Sequence, residues 1–448
     1  MKYLRDMQVV VLMGGLATRL GSVSEAVPKS MLDVHGKPFF LYQLSLMRDQ
    51  GFRKFVFCIG HNGSVIKRYF GDGRKFGVNI KYSSDGDTLL GTGGALKKAE
   101  SLLNKEFMLI YGDSYMDVDY QEIIYNYSAA KDKKHALLAI FKNQNKFDKS
   151  NVVFRNGKLL DYDKRSMRAE MEYIDYGIAI LNKNVISRMP AGRFLDLADV
   201  YRDLVKKGYM TGYEVRRRFF EIGTPRSLDE FRDFMEERKR KQKAVFFDRD
   251  GTLNRLCYNE GSEEVDSPFK EADMRLLPNV VECVKKVKRM GYKVIIVTNQ
   301  PGAAKGKVTL EGLYRVNNRL LDMLKMKGTG VDDVFICFHH PVGDRDAKDR
   351  FLIKKCDCRK PAAGLLKQAM KKHNIDMARS YMVGDSYTDV MAGYAAGVKT
   401  VFLGRYKCDA CQRMGKVKAD YIFDDIKGFA DFISEEKGKK WCKRKRQR

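Results

Sequence analysis

Short apolar runs separated by longer amphipathic stretches set the rhythm of this chain. Gln8-Val-Val-Val-Leu-Met13 is rich in β-branched residues and stops at Gly14-Gly15. An unbroken apolar run of that length predicts a strand buried on both faces, as in a parallel sheet. Lys54–Ile59, Phe107–Tyr111 and Ala136–Phe141 repeat the pattern, and Phe40–Gln50 has helical spacing. Strand alternating with helix predicts an open α/β sheet. The pattern breaks at Ser227–Gln242, a charged, helix-like stretch, and restarts at Ala244-Val-Phe-Phe-Asp248. Lys293–Val297, Asp333–Cys337, Ser380–Val383 and Lys399–Leu403 supply the further strands of a second domain. The expected organisation is a domain over 1–237, a linker over 238–243 and a domain over 244–435. A basic tail over 436–448 is expected to be disordered. No internal repeat is visible.

Length agrees with this division. A chain of 448 residues at roughly 150 per domain gives about three domains, and α/β domains of about 200–250 give two. Apolar residues make up 44% and charged residues 31%, as in an ordinary globular protein. The net charge of +27 attracts polyanions, so nucleic acid or a membrane surface is one reading. The basic residues are spread widely, with runs at Arg216–Arg218, Arg238–Lys243 and Lys439–Arg448. A solvated surface serving small anionic substrates fits that spread better, and neither nucleic-acid binding nor membrane insertion is expected. The nine cysteines are an odd count in a long chain and do not form a secreted disulfide framework. The start carries no leader pattern and no stretch reaches ~18 apolar residues, so the cytoplasm is the expected location.

The first strand opens into Gly14-Gly-Leu-Ala-Thr-Arg-Leu-Gly21. Glycines let backbone N–H groups approach phosphate, and an arginine adds a fixed bidentate donor; a tight turn uses glycines too. Val27-Pro-Lys-Ser-Met-Leu32 and Gly36-Lys-Pro-Phe39 follow. Together these segments resemble the sugar-1-phosphate nucleotidyltransferases, which join a sugar 1-phosphate to the α-phosphate of an NTP and release pyrophosphate. Leu90-Gly-Thr-Gly-Gly-Ala-Leu96, Tyr111-Gly-Asp-Ser114 and Phe220-Glu-Ile-Gly-Thr-Pro225 match later segments of that family in order. The resemblance covers about 7–235 and implies a GT-A-like fold. It implies nucleotide contacts at Gly14, Gly15, Thr18, Arg19, Lys29, Gly91, Gly93 and Gly94, with Arg19 and Lys29 catalytic. Magnesium falls to Asp113 and Glu221. The family usually carries aspartate at the second position; the longer glutamate still ligates magnesium, with a different reach. Lys164 is expected on the sugar phosphate and Asp175 on sugar hydroxyls, against a plain turn role for Asp175.

Phe246-Phe-Asp-Arg-Asp-Gly-Thr-Leu253 puts two aspartates at a strand end, where like charges repel unless a cation sits between them. The pattern resembles the haloacid dehalogenase-like (HAD-like) phosphatases. The resemblance makes Asp248 the nucleophile and Asp250 the acid and base. Thr298 and Asn299 then bind phosphate, Lys360 neutralises it, and Arg359 and Ser386 touch substrate. Asp385 joins Asp248 and Asp250 around magnesium. Cys337-Phe-His339-His-Pro341 with Cys356-Asp-Cys358 offers four ligands for tetrahedral zinc. The family pattern selects Cys337, His339, Cys356 and Cys358, with His340 as competitor. Cys408-Asp-Ala-Cys411 lacks a partner pair and reads as incidental. The fold class is therefore α/β, two Rossmann-like three-layer domains. Zinc beside these segments resembles two phosphatase families, one acting on D-glycero-D-manno-heptose 1,7-bisphosphate and one on histidinol phosphate. Fusion to a nucleotidyltransferase favours heptose, with GTP as the expected nucleotide. A degenerate scaffold or nucleic-acid-binding protein is the outside alternative.

Overall fold

The computed structural model describes residues 2–14, 27–86, 90–130, 134–166, 168–259, 263–344, 347–404 and 418–435. Gly15, Thr18, Arg19, Cys408, Cys411 and the tail 436–448 lie outside the described residues. The chain divides into two compact units, Met1–Met235 and Glu236–Arg448. The division falls inside the helix Pro225–Lys239, whose end takes in the first two residues of the expected linker. Proline fits the first helical position because its missing N–H is unpaired there in any case.

The first unit is built on nine strands. They are β1 (Gln8–Leu12), β2 (Lys54–Ile59), β3 (Asn79–Ser84), β4 (Glu106–Tyr111), β5 (Ala136–Lys142), β6 (Val152–Arg155), β7 (Lys158–Tyr162), β8 (Tyr173–Asn182) and β9 (Met210–Val215). The path runs β7-β6-β8-β4-β1-β2-β3, and β5 pairs with β8 and β9. β1 is parallel to β2 and β4, with Val10 opposite Val56 and Leu109. All three side chains are shut away from water, which is why these strands read as continuous apolar runs. β8 is antiparallel to both β4 and β5, so the sheet is mixed. The alternation Tyr-Ile-Asp-Tyr at its start carries too few apolar residues to announce a ten-residue strand. Apolar layers cover both faces. One holds Phe40, Phe57 and Phe70, whose rings meet edge to face at 5.4–6.0 Å. The other holds Leu96, Leu138, Tyr162 and Tyr201.

The second unit has six parallel strands, β10 (Ala244–Phe247), β11 (Lys293–Asn299), β12 (Asp333–Cys337), β13 (Tyr381–Gly384), β14 (Lys399–Leu403) and β15 (Tyr421–Phe423). Their order is β12-β11-β10-β13-β14-β15. Helices Val280–Arg289 and Ile426–Glu435 bury Val284, Val287, Phe429 and Ile433 on one face. Helices Gly364–His373 and Tyr387–Ala396 bury Leu366, Ala369 and Ala392 on the other. Both units thus have the three-layer α/β build that the strand–helix alternation predicts. In each, strand order reverses at one point, between β1 and β4 and between β10 and β13. Ligands of such sheets lie beyond the carboxyl ends of the strands at that point.

Two candidate active sites

In the first unit a cleft of about 380 Å³ opens at the reversal point, lined among others by Gly14, Lys29, Gly91, Tyr111 and Asp113. Gly14 ends β1 where a Cβ would stand 3.2 Å from both Gly60 N and Asp85 Oδ2, so a side chain there would crowd the turn. Gly91 has φ +70°, a backbone region that favours glycine. Gly91 and Thr92 line the cleft, whereas the amides of Gly93 and Gly94 donate to Leu195 O at 2.8 and 3.2 Å. Those two glycines bring the helix Gly91–Lys98 against the segment before Leu197–Lys206.

Lys29 starts a short turn after Pro28, and its Nζ lies 3.4 Å from Asp113 Oδ2. Glu221 reaches the same place by a two-residue ladder, Phe220–Glu221 against Ser114–Tyr115. Ile222 N then donates to Asp113 O at 3.0 Å, which fixes the two acidic positions side by side. The Tyr111 hydroxyl registers the local charge. Burial holds its pKa far above the ordinary value, and Asp175, Asp196, Asp113 and Glu221 add to the effect. Asp196 is absent from the sequence-based set; it caps Leu197–Lys206 and accepts from Thr92 Oγ1 at 3.0 Å. Lys164 and Asp175 meet at 3.6 Å. Asp175 also accepts from Tyr162 Oη at 3.0 Å and from Gly177 N at 2.9 Å, so the turn role is present alongside.

In the second unit Asp248 follows β10 and Asp385 follows β13, on either side of the reversal point. A Cβ at Gly251 would overlap the Asp385 carboxylate, so glycine is required there. Lys360 is almost wholly buried and bridges two carboxylates, Asp248 at 2.7 Å and Asp389 at 2.6 Å. Its Nζ also donates to Val297 O at 2.8 Å. Burial alone would lower the Lys360 pKa, but the two carboxylates outweigh it and hold the amine charged. Asp389 is pushed up to about 7, by burial first, against the pull of Lys360. Asp389 escaped the sequence reading, although Asp385-Ser-Tyr-Thr-Asp389 carries its signal. Ser386 caps the helix Tyr387–Ala396, and Asp389 accepts from Ser386 N at 3.1 Å, a capping box.

Carboxylate oxygens of Asp248, Asp385 and Asp389 lie within 4.8 Å of one another, a donor set suited to a hard divalent cation. The Asp250 carboxylate is engaged elsewhere, accepting from Arg249 at 3.0 Å, Asn254 at 2.9 Å, Ser267 at 3.0 Å and from Gln300. Burial raises its pKa, and the Arg249 charge with these bonds reverses the sign to a net lowering. Arg249 and Gln300, both fully buried, are supporting residues that the sequence reading did not single out. Asn299 is bound at both ends to the backbone of Lys360, at 3.0 Å each. Thr298 is buried and accepts from Gln300 at 3.0 Å. Arg359 donates to His339 O at 3.4 Å, next to the sulfur cluster.

Cys337, His339, Cys356 and Cys358 offer ligand atoms within 4.8 Å of one another. Their sulfurs are 3.3–3.6 Å apart with no disulfide between them. Hydrogen bonding from Cys358 holds the Cys337 thiol far below its ordinary pKa, and the same contact pushes Cys358 up. Three thiols and an imidazole in this packing suit a soft tetrahedral ion. His340 is turned away to accept from Val342 N at 3.2 Å.

Each of the two parts resembles known proteins. Residues 8–238 match the family model described as nucleotidyl transferase, and residues 357–429 the one described as HAD-hydrolase-like. A D-glycero-beta-D-manno-heptose-1,7-bisphosphate 7-phosphatase of Haemophilus ducreyi is 36% identical over 197 residues, 43% of this chain and 99% of that protein. A D-glycero-alpha-D-manno-heptose-1,7-bisphosphate 7-phosphatase of Photorhabdus laumondii is 36% identical over 163 residues, 36% of this chain and 82% of that protein. The solved structure of HddC from Yersinia pseudotuberculosis complexed with GMP-PN is 24% identical, covering 51% of this chain and 99% of that one, with a TM-score of 0.44. The chain is thus a bifunctional enzyme, a nucleotidyltransferase followed by a HAD-like phosphatase. Its first half belongs to the nucleotidyl transferase family and its second to the family of the heptose-bisphosphate 7-phosphatases.

Proposed function

We propose that the second unit hydrolyses the C7 phosphate of D-glycero-D-manno-heptose 1,7-bisphosphate and that the first transfers GMP from GTP to the heptose 1-phosphate. The observation that carries this reading is Lys360 between Asp248 at a strand end and Asp389 in the first turn of a helix, in a chain spanning nearly all of a heptose-bisphosphate phosphatase. Asp248 attacks phosphorus and the bond from phosphorus to the C7 oxygen breaks. Asp250 gives that oxygen a proton, then takes one from the water that hydrolyses the aspartyl phosphate. Lys360 balances the charge on Asp248 throughout. Asp248, Asp385 and Asp389 would hold magnesium, which supplies charge neutralisation at the phosphoryl oxygens.

In the first unit the attacking group belongs to the sugar phosphate, so the chain needs only to orient and neutralise. Lys29 and Arg19 serve the triphosphate, Asp113 and Glu221 would hold magnesium, and Lys164 and Asp175 hold the sugar. Cys337, His339, Cys356 and Cys358 would hold zinc, which would tie down the loop that leads into Arg359 and Lys360. The free thiols among the described residues support a reducing compartment and a cytoplasmic location. No helix among the described residues is long and apolar enough to cross a membrane. The test is phosphate release from the heptose bisphosphate, followed by pyrophosphate release on adding GTP. Release from histidinol phosphate with the heptose ester left intact would overturn the sugar assignment.

A further inference from the structure

Lys164 stands between two residues whose side chains are bound to one helix. Asp163 Oδ1 accepts from Arg202 Nη2 at 3.0 Å, and Arg165 Nη2 donates to both oxygens of Asp199, at 3.1 and 3.0 Å. Arg202 and Asp199 lie one turn apart on the helix Leu197–Lys206 and meet at 3.2 Å. Four charges thus form a chain, Asp163 to Arg202 to Asp199 to Arg165, that ties both neighbours of Lys164 down. The backbone is pinned as well. Asp163 N donates to Asn151 O at 2.9 Å, and Arg165 N to Asp163 Oδ1 at 2.8 Å. Tyr162, the last residue of β7, meets Tyr201 of the same helix edge to face at 5.7 Å. The Lys164 ammonium reaches the cleft instead, 3.6 Å from Asp175 and 5.8 Å from the ring centre of Tyr111.

Stability does not account for this arrangement. Arg165 and Asp199 are exposed, and ion pairs so open to water contribute little to folding. Direct binding of an anion does not account for Arg202, because its half-buried guanidinium already faces two carboxylates. Lysine is a point charge on a flexible four-carbon stem. Its ammonium arrives at one place only where the backbone that carries the stem is fixed. A displacement of about 1 Å at a reacting group costs up to about 100-fold, so fixing the two neighbours of Lys164 has a catalytic consequence out of proportion to its effect on folding.

We propose that Arg202 is a positioning residue for nucleotidyl transfer: through Asp163 and Asp199 it fixes the chain on both sides of Lys164 and so aims that ammonium at the phosphate of the acceptor sugar. The assignment rests on the reading of Lys164 as the contact for the sugar phosphate. The test follows pyrophosphate release by the full chain and takes KM for heptose 1-phosphate and for GTP separately. Arg202→Gln should raise KM for heptose 1-phosphate about 10- to 100-fold, with KM for GTP and the melting temperature near those of wild type. Added to Lys164→Gln it should cause little further loss, because it acts through that lysine. Asp199→Asn should raise KM for heptose 1-phosphate as well. If Arg202 bound the phosphate itself, removing that acid would free its charge and lower KM, and the losses in the double variant would add; either result would overturn the proposal. So would an unchanged KM in Arg202→Gln, or an equal rise in both KM values, which marks plain scaffolding. Should Lys164→Gln leave no measurable rate, Asp199→Asn decides alone. An unaltered KM for heptose 1-phosphate in Lys164→Gln, or no pyrophosphate release by wild type, would remove the underlying reading and the proposal with it.

Discussion

Lys360 decides how the phosphatase site is held together. Its ammonium is buried with two carboxylates and a carbonyl, so no water replaces a partner that is lost. Lys360→Met should leave Asp248 and Asp389 as unpaired buried acids. Breaking a buried pair in that way costs about 3–5 kcal/mol. Denaturant unfolding of the second unit should show a loss of that order, with no phosphate release. Asp389→Asn is milder. The amide still accepts from Ser386 N, so the capping box survives, but one of the two charges on Lys360 disappears. Phosphate release should then fall roughly 10- to 100-fold, as for other residues that orient a catalytic or metal-bound group. Full activity in this variant would reduce Asp389 to a helix cap.

Helix and loop geometry carry what single residues cannot. Ser386 starts the helix that presents Asp389, and Ser386→Ala should cost about 1 kcal/mol through the lost cap, read as a lower unfolding midpoint. The strands β10, β11 and β14 were legible because parallel strands buried on both faces are plain apolar runs. Asp248 and Asp385 were legible because each follows such a run, the four sulfur and imidazole donors because of their tight spacing, and Lys360 only through the family resemblance. Glu221 was paired with Asp113 through the family resemblance alone, because the two-residue ladder that joins them carries no periodicity. Two features were not legible. The amides of Gly93 and Gly94 turn to Leu195, a partner far along the chain. Asp389 is marked by its spacing from Ser386 only as a helix-capping acid, and the completed fold alone sets it against Lys360. The loop between Cys337 and Cys356 is the remaining case, since polar Asp344 and Asp349 mark a stretch with little apolar surface of its own. A zinc-selective chelator, added with magnesium in excess, should lower the melting temperature of the second unit and abolish phosphate release, while pyrophosphate formation by the first continues. Unchanged melting after metal analysis confirms removal would count against a structural ion.

At the scale of the whole chain, the two sites are chemically ordered yet structurally self-contained. On the proposed assignment, hydrolysis at C7 would leave a sugar 1-phosphate, the class of acceptor proposed for the first unit. Every residue assigned to phosphate release comes from one side of the Met235–Glu236 division, and every residue assigned to nucleotidyl transfer comes from the other. Asp248→Asn should therefore abolish phosphate release and leave pyrophosphate release from GTP and heptose 1-phosphate unchanged. Asp113→Asn should do the reverse. An equal mixture of the two variants contains one working copy of each site, on different molecules. Given heptose 1,7-bisphosphate and GTP, the mixture should form the nucleotide sugar after a lag, with heptose 1-phosphate accumulating first in the ³¹P spectrum. The lag should shorten as protein concentration rises, because the intermediate crosses free solution between molecules. If the mixture made no nucleotide sugar while each variant kept its own half-reaction, transfer of the intermediate would have to occur within one chain.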